Sequence, residues 1–155
     1  EETLYRGLYA LHPESREAMR EYADLLVQAG RRDEGLSVML GYYGEALRRS
    51  PDALAPRAWV IRLLLQRGRP ARDGAPADVE QARSLLDGTP PAQRGAPGYH
   101  ELRLEWSLEV SLSRRDPRGA LAALEALLRL RPDHPRRALL PTLRSQVQAP
   151  RSPAP

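Results

Sequence analysis

The sequence contains no cysteine, no phenylalanine and no lysine, and it has no long apolar run. Without cysteine, disulfides, thiolate nucleophiles and cysteine-ligated zinc sites are excluded. No apolar run approaches the roughly 18 residues that a membrane-spanning helix needs. The first residues, Glu1 to Tyr5, resemble neither a signal peptide nor a transit peptide. Because the chain does not begin with methionine, we expect it to be an excerpt of a longer protein, with any targeting signal outside it.

The apolar residues that are present favour helices. They make up 41% of the chain, and leucine and alanine dominate them, whereas valine and isoleucine are few. Leucine and alanine are good helix formers, and strands prefer β-branched and aromatic side chains. Most of the 15 prolines and 11 glycines lie between apolar runs, where they end helices. These features predict an all-α fold with one folded unit.

All 24 basic residues are arginine, against 20 acidic residues. Together with abundant alanine and proline, this suggests a GC-rich bacterial source. The charge is uneven, since residues 101–155 hold 10 arginines and only 6 acids. The basic third suggests nucleic-acid or polyanion binding as an alternative function, although acids interleave with the arginines and no aromatic platform accompanies them.

Two short signatures alternate along the chain. The segment Leu25–Arg31 (LLVQAGR) recurs 38 residues later as Leu63–Arg69 (LLLQRGR). Glycine after an apolar run is typical of a helix end in the left-handed conformation. The second signature is an apolar run that meets proline and an acid, and it occurs at Pro13, Pro51 and Pro132. Helical spacing between the signatures predicts antiparallel helix pairs.

The residues between these signatures resemble the tetratricopeptide repeat family, whose period is about 34 residues. Its large and small positions fall on Met19, Ala23, Leu26 and Gly35 in the first unit. In the last unit the matching positions are Leu104, Leu108, Ala120, Leu124 and Pro132. The resemblance covers most of residues 4–132, with a late Pro51, a loop from Pro70 to Ala77, and Arg115 in place of a glycine. It implies an all-α superhelical solenoid of antiparallel helix pairs.

The resulting map has a leading helix, three helix pairs and a capping helix. Asp78 with Gln81 is expected to begin a helix as a capping box, and Asp116 to begin another as N-cap before Pro117. Residues 1–147 form the predicted repeat domain, and residues 148–155 a proline-rich linker or tail. The predicted helices are 4–11, 16–29 paired with 33–49, 54–67 with 79–87, 100–114 with 117–130, and 136–147.

Residues that could carry catalysis or bind a metal are sparse. His12, His100 and His134 lie at predicted helix ends or in loops, and none has a second ligand at zinc spacing, so they read as ordinary loop histidines. The chain has neither a phosphate-binding loop nor a nucleophile elbow. We therefore predict a protein that is not an enzyme, with no cofactor and no metal.

In the tetratricopeptide family the first helix of each pair lines an inner, concave surface. The resemblance implies that a partner protein or peptide docks there, although the same charges could simply keep an exposed face in solution. Trp59 and Trp106 are expected either to pack within the stack or to anchor a ligand. Acids among the implied positions disfavour a clamp for a carboxylate terminus. The implied partner-binding residues are Arg20, Asp24, Gln28, Arg62, Gln66, Glu105 and Glu109.

We accordingly predict a scaffold for protein–protein interaction. The expected setting is a larger bacterial assembly, such as envelope, secretion or exopolysaccharide-export machinery, in the cytoplasm or the periplasm, with the periplasm favoured. A regulatory or recruiting module of a larger enzyme or transcription factor is a further possibility.

Overall fold

The computed structural model describes residues 1–68 and 77–149, and within them it contains helices and no strand. Two short 3₁₀ helices, Pro91–Gln93 and Pro135–Leu139, precede α6 and α8. The prediction of an all-helical chain is confirmed for this part of the sequence. The α-helices are α1 (Glu2–Leu11), α2 (Arg16–Gln28), α3 (Arg32–Arg49), α4 (Leu54–Gly68), α5 (Ala77–Asp87), α6 (Pro97–Ser113), α7 (Pro117–Leu130) and α8 (Leu140–Gln148).

Several helix ends form where the sequence predicts them. The Asp116 side chain accepts a 3.0 Å hydrogen bond from the Gly119 amide, so the predicted N-cap of α7 is confirmed. Gly30, after α2, has the left-handed φ of 78° that its position requires. Arg115, which replaces the glycine expected after α6, adopts the same left-handed region with φ 54°. The backbone turn is therefore kept, at a steric cost that glycine would not have.

Other predicted boundaries were wrong by a few residues. α1 begins at Glu2, and α6 begins at Pro97, since proline suits the first turn of a helix. The capping box at Asp78 does not form, because α5 already begins at Ala77 and the Asp78 carboxylate binds Arg67. The predicted terminal helix is a 3₁₀ turn followed by α8. The described residues do not include residues 70–76 of the predicted loop or residues 150–155 of the predicted tail.

Each helix packs against the next one along the chain, and α4 also contacts α6. The main core lies around α4 and includes Ile61 and Leu64 with residues of its neighbours. A second core joins α6, α7 and α8 around Leu108, Leu124 and Leu143. Helix α6 contributes to both cores, so it connects the two halves of the fold.

Close helix crossings occur at the predicted small positions. A Cβ atom on Gly35 would lie 2.9 Å from the Ala23 carbonyl oxygen and 3.0 Å from a Val27 methyl carbon. Both distances are too short for an ordinary contact, so α3 can approach α2 this closely only with glycine at position 35. Ala120, at the matching place in α7, is fully buried.

An arginine is buried near the start of the second helix pair. Arg57 lies in the first turns of α4 and is only 9% exposed. Its guanidinium donates 2.9 Å hydrogen bonds to the carbonyl oxygens of Leu85, in the last turn of α5, and Pro51, in the turn after α3. Arg57 thus links the last turn of α5 and the turn after α3 to α4.

Both tryptophans pack against neighbouring helices. Tyr43 is buried and stacks on Trp59 with a centroid distance of 5.1 Å, although Trp59 keeps an exposed edge. Trp106 is partly buried, and its indole nitrogen donates to the Val79 carbonyl oxygen at 3.2 Å. In the described part of the chain, no helix is both long enough and apolar enough to cross a membrane.

Candidate partner-binding site

A cleft of about 360 Å³ lies between α4, α6 and the segment that follows α7. Four of the seven residues predicted to bind a partner line it, namely Arg62 and Gln66 of α4 and Glu105 and Glu109 of α6. Its apolar lining comes from Leu65, Leu108 and Pro135. Three further side chains complete the wall: Arg131, His134 and Arg136. The sequence analysis did not place them among the partner-binding residues, although the two arginines belong to the basic third that suggested polyanion binding.

The acidic wall of the cleft is one face of α6. Glu101, Glu105 and Glu109 are spaced four residues apart, so their side chains lie one above the other on the same face. On the α4 side, the guanidinium of Arg62 lies 3.8 Å from a carboxylate oxygen of Glu101 and 3.6 Å from one of Glu105. These distances are long for ion pairs, so Arg62 is held more loosely than the other two arginines of the cleft.

The opposite wall carries two tighter ion pairs. Arg131, just after α7, lies 2.8 Å from Glu101, and this hydrogen bond raises the pKa of the arginine. Arg136 donates from Nε and Nη2 to one carboxylate oxygen of Glu109, the Nε bond being 3.1 Å long. Glu101 therefore contacts both Arg62 of α4 and Arg131 after α7. Its place on the binding face was missed, although its position one turn before Glu105 is a signal for it.

His134 lies at a helix end, as the sequence predicted, but its burial and its contacts in the cleft were not predicted. The side chain is only 7% exposed. Its Nδ1 accepts a 3.1 Å hydrogen bond from the backbone amide of Arg136, the second residue of the 3₁₀ helix, so the ring proton lies on Nε2. Nε2 lies 3.3 Å from Oε1 of Glu105 and donates to it. The sequence signal was Pro135, because the residue before a helix-starting proline is a capping position.

The other two histidines lie near helix ends. His12 caps the end of α1, as expected, and lies 3.6 Å from Glu14. His100 lies in the first turn of α6, on its exposed side, and that helix begins three residues earlier than predicted. Across the described ranges, no group of three or more histidine or acidic side chains is arranged to hold a metal ion.

The charges of the cleft compensate one another. Three arginines face three glutamates, and Glu105 and Glu109 have little exposed surface. Removing one member of such a pair leaves the other partly desolvated and without its counter-charge, which is unfavourable. The network therefore favours the arrangement of the walls in which every pair is formed. Chemically, the cleft offers hydrogen-bond donors and acceptors on rigid walls, with a small apolar floor.

The remaining three predicted binding residues do not join this cleft. Arg20, Asp24 and Gln28 are exposed along α2, and none of them lines it. The structure thus gathers the predicted residues of the second and third pairs and leaves those of the first pair on a separate part of the surface.

The basic residues of the C-terminal third are divided by the fold. Arg131 and Arg136 are bound to carboxylates in the cleft. Two exposed arginines, Arg103 of α6 and Arg144 of α8, lie 3.9 and 3.5 Å from carboxylate oxygens of Asp87 and Glu125. Arg114, Arg115 and Arg118 lie at the start of α7, whereas Arg129 and Arg137 lie at or beyond its far end. A helix of 14 residues is about 20 Å long, so these two groups do not form one continuous patch.

Comparisons of the chain with protein-family models, with curated proteins and with solved structures found no match. The resemblance to tetratricopeptide repeats therefore rests on the residue pattern described above.

Proposed function

We propose that this chain is a protein-binding scaffold, a tetratricopeptide-like solenoid of helix pairs, and that a segment of a partner protein docks along the face of α4 and α6. The observation that carries the proposal is the cleft between these helices. It gathers Arg62, Gln66, Glu105 and Glu109 around a volume of about 360 Å³. Pockets of a few hundred Å³ are the size that accepts small ligands or a few side chains of a peptide.

Packing between successive pairs supports the solenoid part of the proposal. Helix α4 contacts its own partner α5 and also α6, the first helix of the next pair. In a solenoid of helix pairs, the first helices of neighbouring repeats lie side by side and form one surface. The left-handed turns at Gly30 and Arg115 end the first helices of two pairs in the same way, which fits one repeated unit.

The chemistry of the cleft favours a peptide over a polyanion. Its arginines are matched by glutamates, so it has no excess of positive charge to attract phosphates. Arg62 has only long contacts, of 3.6 and 3.8 Å, and is the cation best able to take a carboxylate or carbonyl oxygen of a partner. Pro135, the exposed apolar residue of the lining, supplies apolar contact, since Leu65 and Leu108 are almost fully buried. A segment with mixed polar and apolar side chains fits this lining.

Nucleic-acid binding is the weaker alternative, because the exposed arginines around α7 are split between its two ends. Of the others, Arg103 and Arg144 lie beside carboxylates, and Arg131 and Arg136 are bound to glutamates. The proposal includes no catalytic step. A bacterial setting in envelope, secretion or exopolysaccharide-export machinery stays a prediction from the sequence.

Site-specific photo-crosslinking tests the proposal. A photoreactive amino acid at Gln66, in the cleft, should give a discrete crosslinked product with a partner in an extract of the source organism. The matched control is the same amino acid at Gln81, which is exposed on α5. Equal crosslinking from both positions, or none from position 66, would rule out the cleft as the docking site.

A further inference from the structure

Three side chains of the segment that follows α7 each contact one glutamate of α6. The pairs are Arg131 with Glu101, His134 with Glu105, and Arg136 with Glu109. Because arginine stays charged at every physiological pH, the two outer pairs keep their positive members. Histidine changes its charge between about pH 5 and 8, so the middle pair is the one that responds to pH in this range.

In its neutral state, His134 caps the 3₁₀ helix Pro135–Leu139, whose first residues line the cleft. Its Nδ1 atom accepts the 3.1 Å hydrogen bond from the backbone amide of Arg136. Within the described ranges, this amide has no other acceptor. Amides in the first turn of a helix find no partner inside the helix, so a side-chain acceptor stabilises the helix start. The acceptor at Nδ1 therefore stabilises this wall of the cleft.

Protonation of His134 removes that acceptor. Both ring nitrogens of a charged imidazole are donors, so the Nδ1 proton would face the amide proton of Arg136. The other side of the ring keeps its partner, because Nε2 donates to Glu105 in both charge states. Protonation therefore breaks the bond to the 3₁₀ helix and leaves the ring attached to α6.

The charged groups around His134 belong to several parts of the fold. Those that line the cleft are Arg62 of α4, Glu105 and Glu109 of α6, and Arg131 and Arg136 after α7. Helices α7 and α8 also pack against the 3₁₀ helix, and their charged residues, none of which lines the cleft, are Arg118, Glu125, Arg129 and Arg144. On the histidine's own segment, Asp133 and Arg137 are exposed. A positive ring is attracted by Glu105, where it competes with Arg62 at 3.6 Å, and is repelled by the arginines.

We propose that His134 is a pH-sensitive cap of the cleft wall: when charged, it releases the start of the 3₁₀ helix, loosens this wall and weakens the binding of a partner segment. The change is expected between about pH 7.5 and 5.5, where histidine gains its proton. The effect on binding rests on the docking function proposed for the α4–α6 cleft. The change in the wall itself needs no partner.

Hydrogen exchange of the Arg136 backbone amide, followed by NMR on the whole chain, tests the cap without a partner. The quantity is the protection of the amide, which is its exchange rate relative to that of an unstructured peptide at the same pH. We expect this protection to fall about fivefold between pH 7.5 and 5.5, because the amide loses its cap. Protection in the wild type that does not change with pH would overturn the proposal.

The matched variant is His134→Asn, because the side-chain oxygen of asparagine is a good capping acceptor and does not titrate. Protection of the Arg136 amide in this variant should be the same at both pH values. His100→Asn, which changes an exposed histidine in the first turn of α6, should behave as the wild type does. An equal loss of protection in His134→Asn would overturn the proposal, since the change would then come from another group.

The photo-crosslink from position 66 separates this proposal from the docking function. We expect its yield to fall at least about threefold at pH 5.5 in the wild type and to stay constant in His134→Asn. An equal yield at both pH values would leave the docking function standing and overturn the effect of the cap on binding. No crosslink at either pH would contradict the docking function instead, and a fall in Arg136 protection would then still support the cap.

Discussion

The guanidinium of Arg67 and the carboxylate of Asp78 form two parallel hydrogen bonds, 2.7 and 2.6 Å long, between the end of α4 and the start of α5. This forked geometry is the strongest arrangement of an arginine with a carboxylate. It holds the pKa of the Asp78 carboxyl below its ordinary value, and it raises that of Arg67. The pair fastens the two helices of one hairpin at the end where the chain connects them.

The ion pair predicts a dependence of stability on pH. Because the folded-state pKa of Asp78 is depressed, its contribution to stability is present above the unfolded-state value near 3.8 and is lost as pH falls towards the folded-state value. Asp78→Asn should lower the free energy of unfolding at pH 7 by about 1 kcal/mol. Urea titrations should show this difference shrinking below about pH 4. Asp24→Asn, at an exposed position of α2, is the control, and an equal loss in it would contradict this role of Asp78.

Gly35 provides a test of the closest helix crossing. Gly35→Ala should lower the free energy of unfolding by about 1 to 3 kcal/mol, because its Cβ atom would meet the Ala23 carbonyl oxygen at 2.9 Å. The matched control is Gly41→Ala in the same helix, where nothing lies within 4 Å. That change should stabilise the protein by roughly 0.5 to 1 kcal/mol through helix propensity. Thermal melts of the two variants should therefore shift in opposite directions, and a common direction would show that α2 and α3 are not this close.

The left-handed residues predict a second pair of opposite effects. Arg115→Gly should stabilise the protein by about 0.5 to 1 kcal/mol, since it relieves the strain at φ 54° and loses only part of that gain to chain entropy. Gly30→Ala should destabilise by about 1 kcal/mol, because alanine is strained at φ 78°. Chemical denaturation measures both changes. Loss of stability in Arg115→Gly would mean that the arginine side chain makes a contribution larger than the strain.

The helices were largely predictable because their ends are local. Gly30, Pro117 and Asp116 mark helix ends through the conformation or hydrogen bonds of their own neighbours, so a reading of adjacent residues finds them. The capping box predicted at Asp78 does not form, and the cause is not local. Its carboxylate has a partner 11 residues away, and a capping box competes with such an ion pair in a way that local sequence does not reveal.

The candidate site was predictable only in part for the same reason. Helical spacing places Glu105 and Glu109 on one face, and the family resemblance marked that face as the binding surface. Their partners His134 and Arg136 lie 29 and 27 residues further along the chain, so periodicity within α6 says nothing of them. The sequence therefore indicated the wall of the cleft, and the folded chain added the residues that close it and neutralise its charge.

Charge reversal in the cleft tests the central claim most directly. The measurement is the affinity of the crosslinked partner, once purified, for the wild type, for Arg62→Glu and for Arg62→Glu with Glu105→Arg, with circular dichroism to confirm that the helices are retained. We predict that both variants keep their helical signal and bind at least about tenfold more weakly. Binding that survives both changes unaltered would contradict the account, because the partner would then dock elsewhere on the protein.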